Sequence, residues 1–131
     1  MGFAVDIGTI LQTASVGTLG VSLFVGRGLP DAPDDAVAVI QYGGAPPVLK
    51  MTTTVGATHM ERPRFQIVAR SLDYAAAETK ARNAWNALHG YAGTVNGTIY
   101  GYIQALQSPF YMGLDSNNRC RVAFNVEASK L

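Results

Sequence analysis

Two histidines, one cysteine and a short run of aspartates are the residues from which this chain could build a metal site or a nucleophile. His59 stands beside Met60 and Glu61, and His89 follows a helical stretch far along the chain, so the two lack the spacing of a metal-binding pair. At the end of a helix a cationic His89 has a sufficient role against the dipole, worth roughly 0.3–1 kcal/mol. Cys120 is the only cysteine, which excludes an internal disulfide and cannot by itself hold zinc. Asp31, Asp34 and Asp35 share a turn, but their spacing is not that of an EF-hand loop, and solvated turn formation accounts for them. The "GRG" at Gly26–Gly28 lacks the third glycine and the following helix of a dinucleotide site. No nucleophile motif joins the serines, histidines and aspartates. The residues point away from an enzyme, and no cofactor or metal is expected.

The elements that would position these groups are legible in part. Phe3, Ile7, Ile10, Leu11 and Ala14 fall near helical spacing, which predicts a helix over Phe3–Val16 stopped by Gly17. "VSLFVG" is a short apolar run that reads as a first strand, and "GRGLPDAPDD" is turn chemistry. "AVAVIQYGG" is apolar on both alternating faces, as in a strand covered on both sides. From Gly43 to Pro63 the pattern breaks, and the prolines and glycines there predict a long mobile loop that orders on binding.

"RFQIVARS" resumes a strand with Phe65, Ile67 and Ala69 on one face. Asp73 reads as the N-cap of a helix whose apolar stripe is Tyr74, Ala77, Ala81, Ala84, Trp85 and Leu88, with Trp85 as the one large anchor. Glu78 and Arg82 are placed for an i,i+4 pair, and Gly90 ends the helix. "TIYGYIQAL" is a strand stopped at Pro109. "RCRVAFNVEA" alternates, with Cys120, Val122, Phe124 and Val126 inward and Arg119, Arg121, Asn125 and Glu127 outward. Adjacent strands without crossover helices imply an α+β fold: a mostly antiparallel sheet of about five strands with two helices packed against it.

Composition bounds the partners. At 131 residues the chain reads as a single domain, 1–131, able to bury roughly two-thirds of its unfolded surface. Only 15% of residues are charged, against a usual quarter or so, which leaves little to cover the outside and hints at surface buried by another subunit. Net charge is +1 and the basic residues are scattered, so no direct nucleic-acid binding is expected. The apolar N-terminal stretch is interrupted by Asp6, Gln12 and several glycines and has no basic start, so neither a membrane span nor a signal peptide is expected. Between the last two predicted strands, a tip carries Phe110, Tyr111, Met112 and Leu114. Such a tip is either a lid folded on the core or a surface kept for a partner. Interface cores favour aromatics and Met, so these four, with Lys50, Met51, His59 and Met60 of the long loop, are the expected protein interface.

The blocks "AVAVIQYGGAPP", "ERPRFQIVARSLDYAAAETKARNAWNALHGY" and "IQALQSPFYMGLDSNNRCRVAFNV" together resemble, in order and spacing over roughly residues 23–128, the minor capsid or tail terminator proteins of long-tailed bacteriophages. The resemblance implies a structural virion protein of the tail or neck, assembled in the bacterial host cytoplasm. It implies a homo-hexameric ring on the head-proximal end of the tail tube that ends tube polymerisation and presents a docking face to the head connector. Partners would be other copies of the chain, the tail tube protein and the head connector; no cofactor is implied. Two other readings stay open here: another neck or tube component, such as a head-completion or tail tube subunit, and a small-ligand-binding α+β module unrelated to phage.

Overall fold

Strand β7, Cys120–Lys130, is the strand around which the sheet is arranged. The computed structural model describes residues 2–26, 28–49 and 59–130, with side chains over 2–26, 28–46 and 61–130. In chain order the elements are α1 (Phe3–Thr13), β1 (Leu23–Val25), β2 (Ala36–Leu49), β3 (His59–Ser71), α2 (Tyr74–Leu88), β4 (Gly93–Val95), β5 (Thr98–Ala105), β6 (Phe110–Leu114) and β7. They form one seven-stranded sheet in the order β1-β2-β3-β7-β5-β4, with β6 also paired to β7. β3 runs along one edge of β7, from Ser71 opposite Cys120 to Glu61 opposite Lys130. The other edge of β7 is shared: β6 takes its first residues and β5 its last.

The class is α+β as expected, but the sheet is larger than five strands and mixed, because β1 lies parallel to β2. The short β4 and β6 account for much of the difference. β4 and β5 meet through Asn96 (φ 50) and Gly97 (φ 81), both left-handed, as the tightest twisted hairpin turn requires.

The alternation of β3 holds: Phe65, Ile67 and Ala69 are fully buried on the face that both helices cover, beside Val37 and Val39 of β2 and Val122, Phe124 and Val126 of β7. α2 lays Ala77, Ala81, Ala84 and Leu88 on that face. Trp85, the expected anchor, packs against this core only in part. It is half-buried at the rim, where its indole Nε1 donates to the Gln107 carbonyl at 3.1 Å and its ring stacks on His89. Arg82 lies over the Trp85 ring at 5.5 Å. Asp73 occupies the N-cap position but makes no side-chain capping bond. Tyr74, expected in the stripe, is exposed.

α1 ends at Thr13, earlier than predicted, and Ser15 with φ 63 makes the left-handed exit in place of Gly17. A methyl group at Gly8 would sit 2.6 Å from the Val25 side chain, so this helix can approach β1 only with glycine there. The first turn carries Asp6, which is fully buried. Its carboxylate accepts from Tyr100 Oη at 2.5 Å and from Asn96 Nδ2 at 2.9 Å. Burial, then the bond to Asp6, pushes the Tyr100 phenol far above its ordinary value. These bonds tie α1 to the β4–β5 hairpin.

The loop expected over 43–63 is corrected at both ends. β2 continues to Leu49 and β3 begins at His59, with Gly44 opposite Pro63 and Val48 opposite Met60. Pro46 and Pro47, two of the prolines that suggested a loop, fall at an irregularity between Ala45 and Val48, where a missing N–H does no harm to the ladder. Arg62 Nη2 donates to the Pro46 carbonyl at 3.1 Å across it. Residues 50–58, the middle of the expected loop, lie outside the described residues.

Tyr100→Phe removes one of two donors from a buried carboxylate, and such a loss is expected to cost about 1–3 kcal/mol. Urea titration checks this. A change below about 0.5 kcal/mol, the scale of an ordinary surface substitution, would mean that the Asp6 tie contributes nothing to stability.

Candidate assembly interface

The apolar tip is a strand. Phe110 pairs with Ala123, Tyr111 with Val122 and Leu114 with Cys120 along the first part of β7. Gly113, with φ 98, takes up an irregularity in that register. Cross-strand partners share a face of the sheet, so Tyr111 and Leu114 lie on the helix side with Val122 and Cys120. Phe110 lies on the opposite, open side with Ala123, and Met112 joins it there, beside Val68 and Arg121. The tip is therefore neither a lid nor a single knob. It divides its apolar side chains between two faces.

All four remain accessible, at 39% for Phe110, 48% for Tyr111, 37% for Met112 and 52% for Leu114, so none is committed to the core. Tyr111 meets Tyr74 edge to face, with ring centroids 5.4 Å apart. With Leu72 also exposed, the N-terminal end of α2 extends the apolar area beyond β6. Among the described strands β6 pairs only with β7, so its outer edge carries no ladder.

A corner holds β6 in place. Where β5 leaves β7 and β6 has not yet joined it, Asn125 has no strand residue opposite on that side. The Leu106 N–H donates to the Asn125 carbonyl at 2.8 Å, and Gln107 Oε1 accepts from the Asn125 N–H at 3.0 Å. Beyond β6 the turn is held by Asp115, which accepts from the N–H groups of Asn117 and Arg119 at 2.9 Å and from Arg119 Nε at 2.8 Å. The Arg119 N–H is the largest cause holding the Asp115 carboxyl below its ordinary value.

The other expected interface residues are not brought to this place. His59 and Met60 lie on β3 opposite Leu49 and Val48. Val68, which reaches β6 through Ala123, is eight residues further along β3 than Met60, on the order of 26 Å at about 3.3 Å per residue. Lys50 and Met51 lie outside the described residues. His89 closes the end of α2 on β5, where its Nδ1 accepts from the Ala105 N–H at 3.0 Å.

Arg119 and Glu127, expected to face outward into solvent, are buried. Glu127 pairs with Arg64 at 3.0 Å across the β3–β7 ladder. Arg119 and Arg70 turn into the loop before β2: Arg119 Nη1 donates to the Asp31 carbonyl, Arg70 Nη2 to that of Pro33, and Arg70 Nε to that of Asp34 at 3.1 Å. Asp34 Oδ1 lies 3.3 Å from Arg119, and Asp35 Oδ1 accepts from Ser71 Oγ at 2.7 Å. The aspartate turn is thus pinned by two arginines and a serine. Among the described residues no group of three or more His, Cys, Asp and Glu side chains could hold a metal ion.

Replacing Phe110 and Tyr111 together by Ser should leave the thermal midpoint by circular dichroism within a few degrees. Phe124→Ser removes a fully buried ring and should lose about 3–5 kcal/mol or fail to fold. Equal losses in the two variants would return β6 to the core. Asp115 gives a pH test. Its depressed folded-state value makes its contribution fully present above the unfolded carboxylate range, near pH 4, and lost as pH falls through the folded value. Asp115→Asn should therefore flatten the acid limb of the stability curve, read by urea titration between about pH 5 and 2.

The sequence profile of the family described as bacteriophage tail terminator protein matches residues 10–131. Curated proteins gave no match. Among solved structures, the fold is similar to a chain of the virion of a native gene transfer agent particle, with a TM-score of 0.66 at 13% identity, over 98% of this chain and 93% of that one. Among the described residues no helix is long and apolar enough to cross a membrane. With nearly the whole length matched by one profile, the chain belongs to the bacteriophage tail terminator family and is a structural protein of the phage tail or neck.

Proposed function

We propose that copies of this chain close into a ring, a hexamer, at the head-proximal end of the tail tube. The ring ends tube polymerisation and offers its free face to the head connector. The observation that carries this reading is β6: a strand with an unladdered outer edge and four accessible apolar side chains. An exposed apolar edge is an aggregation hazard that a lone subunit would blunt, and a neighbour can cover it by strand addition or by packing on its side chains. A β6 edge that packs on a different surface of the neighbouring copy makes a head-to-tail contact. Such contacts generate rings when the rotation closes.

The scarcity of charge supports the same reading, since a ring subunit covers two sides with neighbours and two ends with tube and connector. Interface cores exclude charge and favour aromatics. The far end of the β2–β3 arm, at Leu49 and His59, reaches away from β6 and is suited to touch a different partner.

Native mass measurement of the chain, alone and with purified tail tubes, tests the proposal. A hexameric mass on the tubes and arrest of tube growth are expected. The Phe110→Ser, Tyr111→Ser double variant should stay folded and lose both, since buried aromatic anchors each carry about 2 kcal/mol or more of an interface. A folded double variant that still caps tubes would overturn the role given to β6.

A further inference from the structure

The open face of the sheet holds a pocket of about 370 Å³, between the loop at Gly28–Asp31 and the β6 end of the sheet. That is near the lower end of the roughly 300–1,000 Å³ of small-ligand sites, and enough for one or two side chains. Ile40 and Val68 line it, with Leu29 and Met112 as further apolar members. Three arginines, Arg70, Arg119 and Arg121, also face it.

Their charges are not equally answered. Arg119 is paired with Asp115 and Asp34. Arg70, almost fully buried, donates only to carbonyls and has no ion pair among the described residues. Burial, and then the Arg119 charge, lower its pKa. Arg121 is the least satisfied. Its Nη2 makes a long 3.4 Å contact with the Leu114 carbonyl, and its Nε is buried with no acceptor. The acidic side chains that also line the pocket are Asp115, engaged by Arg119, and Asp31.

Two residues on, Ala123 carries Phe110 opposite it, and two further on the same face Asn125 Oδ1 is buried without a donor. Donor, exposed ring and acceptor therefore follow one another along one face of β7. Moving the Arg121 guanidinium off the Leu114 carbonyl, within the pocket it lines, would break only the long contact and would present a fork that matches a carboxylate. Side-chain rotations of that size are common when subunits meet.

We propose that this pocket takes an acidic side chain of a protein subunit packed on the open face, its carboxylate on Arg121 and its flanking apolar groups against Met112 and Phe110. A free anion would answer Arg121 alone. A polypeptide also covers Phe110 and can bring a donor to Asn125. That the partner is a protein subunit rests on the assembly reading above; the pocket and its unanswered arginine do not.

The probe is acetyl-Leu-Asp-Leu-amide, titrated into the ¹⁵N-labelled chain and followed at the arginine Nε–Hε resonances. Acetyl-Leu-Asn-Leu-amide, acetate and inorganic phosphate are run beside it. A saturable shift of the Arg121 resonance is expected with the Asp peptide, about tenfold weaker with the Asn peptide and with acetate, and absent in a folded Arg121→Gln variant. Equal titration by the Asn peptide, or no shift of Arg121, overturns the proposal, and the comparison holds on the native chain even if the variant fails to fold. Acetate or phosphate binding as tightly as the Asp peptide would make the site a general anion site and remove the protein partner. Ring formation without peptide binding sinks this inference alone, and peptide binding without ring formation sinks the assembly reading alone.

Discussion

One edge of β7 must be hydrogen-bonded by two different strands, and most of the fold follows from how that is done. Along β3 the ladder keeps one register, so β3 and β7 make the reference from which Phe65, Ile67, Phe124 and Val126 reach the helices. On the other edge β5 covers the end and β6 the beginning, and the chain must cross between them. A buried backbone group left unpaired at the crossing would cost as much as a lost hydrogen bond. Leu106 and Gln107 answer the two groups of Asn125 there. The same Gln107 receives the Trp85 indole, so α2 and the crossing hold one another. Trp85 is thus a clamp at a rim rather than a core filler.

This arrangement makes β6 an edge strand by necessity. It is short, kinked at Gly113 and anchored at one end by the Asp115 turn, and each of these reduces its freedom to pair indiscriminately. Its side chains still go to both faces. An alternating strand cannot gather its four large apolar residues into one knob, so the contact surface wraps around the strand, with Tyr111 toward Tyr74 and Phe110 toward the open face.

How much of this could be read from the sequence depends on which force set each element. Hydrophobic alternation gave β3 and β7, and the Ala stripe gave α2, because burial alone fixes those faces. The β4–β5 hairpin was missed, although Asn96–Gly97 is a pair that favours a two-residue turn, because the flanking residues hardly alternate. The β2–β3 arm was hidden by its glycines and prolines, of which Gly43, Pro46 and Pro47 read as loop residues yet sit at register irregularities that tolerate them. The fate of Arg70 and Arg119 could not be read locally. Both stand where the alternation points away from the core, and what buries them is a loop far off in sequence. Of the expected interface residues, Phe110, Tyr111, Met112 and Leu114 were identifiable as apolar residues without a place in the helix-facing pattern. Their common strand was not, since Pro109 and Gly113 mask so short a run.

The burial of those two arginines bears on the open face as a whole. Residues 28–35 contain no regular structure, so no sheet ladder supplies N–H donors to their carbonyls. Guanidinium groups, with up to five donors in a fixed plane, can satisfy several carbonyls at once where an ammonium could not hold the same geometry. Arg70 and Arg119 do this for Asp31, Pro33 and Asp34, which fixes the loop as a wall beside the sheet. A wall fixed before contact lowers the ordering cost of any association against it. Arg121, one alternation further along the same face, has no such loop to bind. The difference between the three arginines is therefore one of how fully they are answered: two bind carbonyls of the loop at short range, and the third holds one carbonyl by a single long contact.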